Sequence, residues 1–101
     1  MVKSREELKE FALRKNGDPI VHIEVTDEQL EDAIDLAFQH TNVPANEWDN
    51  YRLKMATAVF VRLQWGLNLM KYEGIELIGG VKLNPVGLYQ TAMQELKDLK
   101  G

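Results

Sequence analysis

Between Met55 and Met70 the chain runs without proline, and its apolar residues fall on nearly every side of a helix: Met55, Ala56, Ala58, Val59, Phe60, Val61, Leu63, Trp65, Leu67, Leu69 and Met70. A surface helix keeps one polar face, whereas a helix that is apolar all round is buried all round. Whatever this chain folds into must therefore be arranged around that segment. The helix is expected from about Glu47 to Glu73, with Gly66 its one weak point and Gly74 its stop. At 1.5 Å per residue it is roughly 40 Å long, more than the roughly 30–35 Å diameter of a compact chain of this size. Two burial schemes fit: the centre of the chain's own core, or a wall with core on one side and a neighbouring copy on the other.

The segment before it supplies two amphipathic helices. Ser4 and Glu7 form a capping box at the start of the first, in which Leu8, Phe11 and Ala12 share a face. Asn16-Gly17 ends it, and Asp18-Pro19 forces extended or turn backbone. Ile20 to Val25 alternates in part, as a short half-buried strand does. Thr26-Asp27-Glu28-Gln29 is a second capping box. Leu30, Ala33, Ile34, Ala37 and Phe38 follow on one face and are expected to pack on the long helix. The opposite face carries Glu28, Glu31, Asp32 and Asp35, which reads as a solvated acidic surface. Thr41 to Asn46, with Asn42 and Pro44, is a loop.

After the long helix, Ile75 to Ile78 and Val81 to Asn84, joined by Gly79-Gly80, read as a β-hairpin. An isolated two-stranded hairpin is marginal in water. Its apolar residues Ile75, Leu77, Ile78, Val81 and Leu83 must be held against the chain's own helices or another subunit, and with Trp48 and Tyr51 they are the candidate interface residues. Asn84 as N-cap and Pro85 at the first helical position open a last helix, with Val86, Tyr89, Ala92, Met93 and Leu96 on its apolar face. Lys97 and Lys100 complement its dipole. The expected fold is mainly α: one domain over residues 1–101, a small four-helix unit with a long central helix, a short extended segment and one β-hairpin.

Chemistry is sparse. There is no cysteine, so thiolate metal sites and disulfides are excluded. His22 and His40 have no partner at metal-ligand spacing and read as structural or solvated. No nucleophile elbow and no phosphate-binding glycine loop is present. No cofactor, metal or catalytic residue is expected. The net charge of −4 gives no basic footprint for neutralising phosphates. Without basic surroundings, Trp48 and Tyr51 read as core edge or interface anchors rather than base-stacking platforms. A helix-turn-helix DNA binder fares badly, because neither candidate recognition helix is basic. No apolar run is long enough to span a membrane, and the charged start lacks the apolar stretch of a secretory signal.

The order of these pieces resembles the start of tailed-bacteriophage neck and head-completion proteins. The resemblance is carried by Glu7-Leu8-Lys9, Leu13-Arg14, Gly17, Pro19-Ile20-Val21, Ile23, Val25 to Leu30, Asp32, Ile34-Asp35 and Ala37, the first third of the chain. Gln39 to Pro44 stands where the larger neck proteins carry an aromatic-rich segment. The small helical head-tail adaptors of that group match the length and helix content better. The resemblance implies a virion structural protein without catalysis, located at the head-tail junction and assembled in the host cytoplasm. Its implied partners are further copies of itself in a ring (twelvefold by that resemblance), the portal protein and another neck or tail protein, with DNA passing through the channel unread. The acidic balance suits a wall along which DNA slides. The other reading is a small protein-binding or regulatory module without catalytic activity.

Overall fold

The structure is a computed structural model that describes residues 1–16, 25–72 and 85–101. These form four helices: α1 Arg5–Asn16, α2 Asp27–Thr41, α3 Tyr51–Tyr72 and α4 Pro85–Leu99. The other three all pack on α3. Side-chain pairs fix the directions. Gln29 at the start of α2 meets Asn68 near the end of α3, and Phe38 near the end of α2 stacks on Trp48 just before α3, so the two run antiparallel. Glu95 of α4 meets Arg62, and Gly101 approaches Arg52, so α4 is antiparallel to α3 as well.

The core lies on two sides of α3. One side gathers Leu8, Ile34, Ala37, Leu53, Ala56, Val59, Ala92 and Leu96, and the other Ala12, Leu30, Ala33, Ala58 and Val61. Phe60 packs against both groups. The small residues Ala33, Ala37, Ala56 and Ala58 are buried at the crossings, which suits close approach of helices. Ala56, Ala58, Val59 and Val61 of the long helix are thus buried within the chain, while Leu67 is 58% exposed. Its buried hydroxyl at Thr57 donates to the Leu53 carbonyl at 2.7 Å, and Thr41 donates likewise to Ala37 at 2.7 Å, so neither costs an unmade bond.

Boundaries follow local chemistry. Thr26 accepts from Gln29 N–H, and the Gln29 side chain accepts from Thr26 N–H, a complete capping box. At Ser4 the box is only half formed. Ser4 Oγ accepts from Glu7 N–H at 3.2 Å, but Glu7 reaches past it and accepts from Lys3 N–H at 3.0 Å. Helix α2 ends at Asn42 in the left-handed region (φ 56°), whose N–H donates to the Phe38 carbonyl. The long helix starts four residues later than Glu47. Asn50 Oδ1 accepts from the N–H groups of Arg52 and Leu53 at 2.9 and 3.3 Å, and a capping side chain there defines the start. With 22 residues α3 is about 33 Å long, inside the 42 Å longest dimension, and need not project.

The expected fold class needs one correction. Among the described residues there are helices and no strand, so the architecture described is helical, where the expected fold class added a β-hairpin and a short extended segment. Residues on the described helices supply nearly all of that core. Residues 75–84, assigned to the hairpin, and all of the extended segment except Val25 lie outside the described residues. On α4 the expected apolar face holds at Ala92 and Leu96, but Met93 is 46% exposed. Val86 and Tyr89 side chains lie outside the described set.

Candidate functional site

The strongest polar constellation joins α1 to α2. Arg5 and Lys9 are one turn apart on α1, and Asp27, Glu31 and Asp35 are one turn apart on α2. The antiparallel packing sets the two rows side by side. Lys9 is buried and donates to Asp27 at 3.0 Å, with Glu31 at 3.2 Å and Glu6 at 3.4 Å. Arg5 bonds Glu31 through Nε, the Glu31 carbonyl at 3.1 Å and Asp35 at 2.8 Å. The hydrogen bond to Asp27 and the pairing with Glu31 push the Lys9 ammonium well above its ordinary pKa. The Arg5 hydrogen bond, aided by Lys9, holds the Glu31 carboxyl below the usual range. Half of the acidic face read as solvated is therefore bonded to α1. Arg5 and Lys9 at i and i+4, opposite acids at i, i+4 and i+8, were a legible signal that this was a helix-helix seam.

The remaining polar clusters also bind element to element. Asp49 accepts from Val2 N–H at 2.8 Å and from Lys54 at 3.1 Å, which lowers its pKa in that order of cause. Lys54 also lies over the Phe11 ring, 5.4 Å from its centre. Asn68, buried, exchanges both amide bonds with Gln29 and accepts from Gln64. His40 Nε2 donates to the Leu96 carbonyl and its ring meets Phe60 edge to face, a structural role. Burial depresses the Arg62 guanidinium, which pairs with Glu95. Among the described residues no group of three His, Asp or Glu is placed to hold a metal ion, and no helix is long and apolar enough to cross a membrane.

Tyr51 is 68% exposed, while Trp48 is half-buried with its ring edge to face against Phe38 at 5.3 Å. Of the two aromatic interface candidates, Tyr51 is free to touch a partner and Trp48 is mainly core edge. Ile75, Leu77, Ile78, Val81 and Leu83, with His22, lie outside the described residues. Leu36, which the sequence reading does not name, and Leu67 and Met93, which it places among the apolar residues of their helices, are each about half exposed. A shallow groove of about 520 Å³ is lined by His40, Gln90, Met93, Gln94, Leu96, Lys97 and Lys100.

The described residues thus form a helical scaffold whose polar clusters join element to element, and comparison with known families places it. The chain matches the family described as bacteriophage T4 neck protein gp13 over residues 1–43 and 43–101, and it belongs to that family. It is thus a structural protein of the bacteriophage virion neck. The match extends the resemblance from the first third to the whole chain. Its two stretches meet at Val43, in the loop after α2 where the departure from the larger neck proteins was read. No curated protein and no solved structure matches the chain.

Proposed function

We propose that this protein is a head-tail connector, a neck adaptor that assembles into a homo-oligomeric ring between portal and tail around the DNA channel. The observation that carries the reading is family membership over the full chain. The fold supports it: three helices of the chain pack on the long one, and outward residues such as Tyr51 and Leu67 are left available for neighbours. Its role is geometric, without catalysis. One face contacts the portal protein, another presents a surface to the next neck or tail protein, and the acidic balance lets DNA pass without adhering. Tyr51 is the described residue proposed to contact a partner, and the apolar set Ile75 to Leu83 is proposed for the same role from its sequence.

The test is electron microscopy of the purified protein, alone and mixed with portal particles from the same source. Rings, or extra density of fixed symmetry beneath the portal, support the proposal. A protein that stays monomeric and leaves portal particles bare refutes it and favours the small protein-binding module.

A further inference from the structure

The acids of α2 fall into two sets. Asp27, Glu31 and Asp35 are engaged by Arg5 and Lys9. Glu28 and Asp32, also one turn apart, are exposed and make no ion pair with a described residue. They lie toward the end of the molecule where α2 begins and α3 finishes, since Gln29 pairs with Asn68 there. At that same end Leu67 is 58% exposed. The opposite end of α2 holds His40 and the groove against α4. Met93 and Leu96 supply its apolar surface, and Lys97 and Lys100 are exposed at its side, again without an ion pair to a described residue. From Glu28 to His40 the helix rises about 18 Å. One chain thus carries two acids unpaired among the described residues and an exposed leucine toward one end, and a basic-edged groove at the other.

We propose that the groove between α2 and α4 receives the acidic end of a second copy of this chain, with Glu28 and Asp32 of one copy set against Lys97 and Lys100 of the next. The inference rests on the ring reading above and names its subunit contact. Charge complementarity selects the occupant, because both halves of the pair are present on the same chain. Their separation along α2 selects the geometry. Two different patches at opposite ends make a head-to-tail contact, which propagates and closes into a ring when the rotation per subunit allows. Leu67 and Met93 add apolar area between the charges, and the ion pairs set register and encounter rate.

The test uses the full chain in five samples: wild type, Lys97→Glu with Lys100→Glu, Glu28→Lys with Asp32→Lys, an equal mixture of those two variants, and Lys97→Gln with Lys100→Gln. Sedimentation velocity and negative-stain microscopy read assembly, and circular dichroism confirms that each variant folds. Each charge-reversed variant alone brings like charges together and is expected to assemble at least tenfold more weakly than wild type. In the mixture, acidic grooves meet basic patches and basic grooves meet acidic ones, so alternating assemblies return. Lys97→Gln with Lys100→Gln gives an intermediate loss and guards against an effect of added negative charge at the α4 C-terminus. If wild-type rings form and either charge-reversed variant forms them equally well, or the mixture stays unassembled, this contact is wrong while the ring stands. A variant that keeps its rings but loses portal attachment assigns the groove to the portal and also overturns the proposal. If wild type forms no ring alone or on portal particles, the ring reading itself fails, and this contact with it.

Discussion

Ile34 offers the sharpest probe of the fold, because its side chain is fully buried where α2 meets the Leu8, Leu53 and Val59 group. Replacing it with alanine removes three carbons, which costs about 2.4 kcal/mol at about 0.8 kcal/mol per buried methylene. The cavity left behind raises the total to roughly 3–4 kcal/mol, within the 2–5 kcal/mol usual for such changes. For a chain of this size each kcal/mol moves the melting temperature by about 4–8 °C, so Ile34→Ala should melt roughly 12–30 °C lower. Leu36 is the internal control. It stands two residues along the same helix, is 46% exposed, and its change to alanine should stay within about 0.5 kcal/mol of wild type. Thermal unfolding followed by far-ultraviolet circular dichroism, at a concentration low enough to suppress assembly, measures both. If the two variants melt within a few degrees of each other, α2 is not docked through Ile34 and the core assignment fails.

Other expectations follow from the polar contacts. Thr26→Ala removes the hydroxyl of the complete capping box and should cost about 1 kcal/mol, read by denaturant titration. Glu31 and Asp49 have depressed folded-state pKa values, so their stabilisation is full above the unfolded carboxylate range and lost as pH falls through the lower folded values. The melting temperature should therefore hold at neutral pH and fall below about pH 4, with a shallower acid limb in Glu31→Gln. Lys9 shifts the other way, so its contribution is complete below the ordinary lysine pKa and outlasts it, and a melting temperature that dropped between neutral pH and that value would contradict its pairing. Gly101→Ala places a Cβ about 1.7 Å from the Thr41 carbonyl oxygen, so residue 101 must swing away. The loss should be no more than about 1–2 kcal/mol, the two peripheral hydrogen bonds from Gly101 N–H to the His40 carbonyl and from Asn42 Nδ2 to the Gly101 carbonyl, with α2 intact by circular dichroism.

Much of the helical scaffold was legible because its signals are local. The Thr26 box, the Leu30 to Phe38 stripe and Pro85 at the head of α4 each depend on residues within two turns. The α3 boundary was misread where two local signals compete. Proline-free sequence from Glu47 favours helix, but Asn50 caps by accepting two backbone N–H groups. The Ser4 box was half right because Glu7 has two backbone N–H groups in reach and bonds the one at Lys3. Contacts between distant segments were harder to read. Nothing near Lys9 in sequence says that Asp27 will lie 3.0 Å from it. Only the matched one-turn spacing on two helices hinted at it. Met93 was placed on the apolar face by periodicity, yet α4 crosses α2 where that side of the helix faces an open groove.

The way α3 is buried decides how assembly and folding are coupled. Had its apolar surface been shared between copies, an isolated chain would have left a large apolar wall in water, and folding would have depended on protein concentration. Here α1, α2 and α4 all pack on α3, and the two core groups lie within one chain. The monomer should consequently fold before it assembles. That order separates two classes of variant. Changes at Ile34, Leu53 or Val59 should lower the melting temperature at every concentration. Changes at Glu28, Asp32, Lys97 or Lys100 should leave the dilute melting temperature nearly unchanged and act only where copies meet. A single charge substitution that destabilised the dilute monomer by more than about 1 kcal/mol would break this separation, since an exposed charge near a helix end contributes about that much at most through the helix dipole.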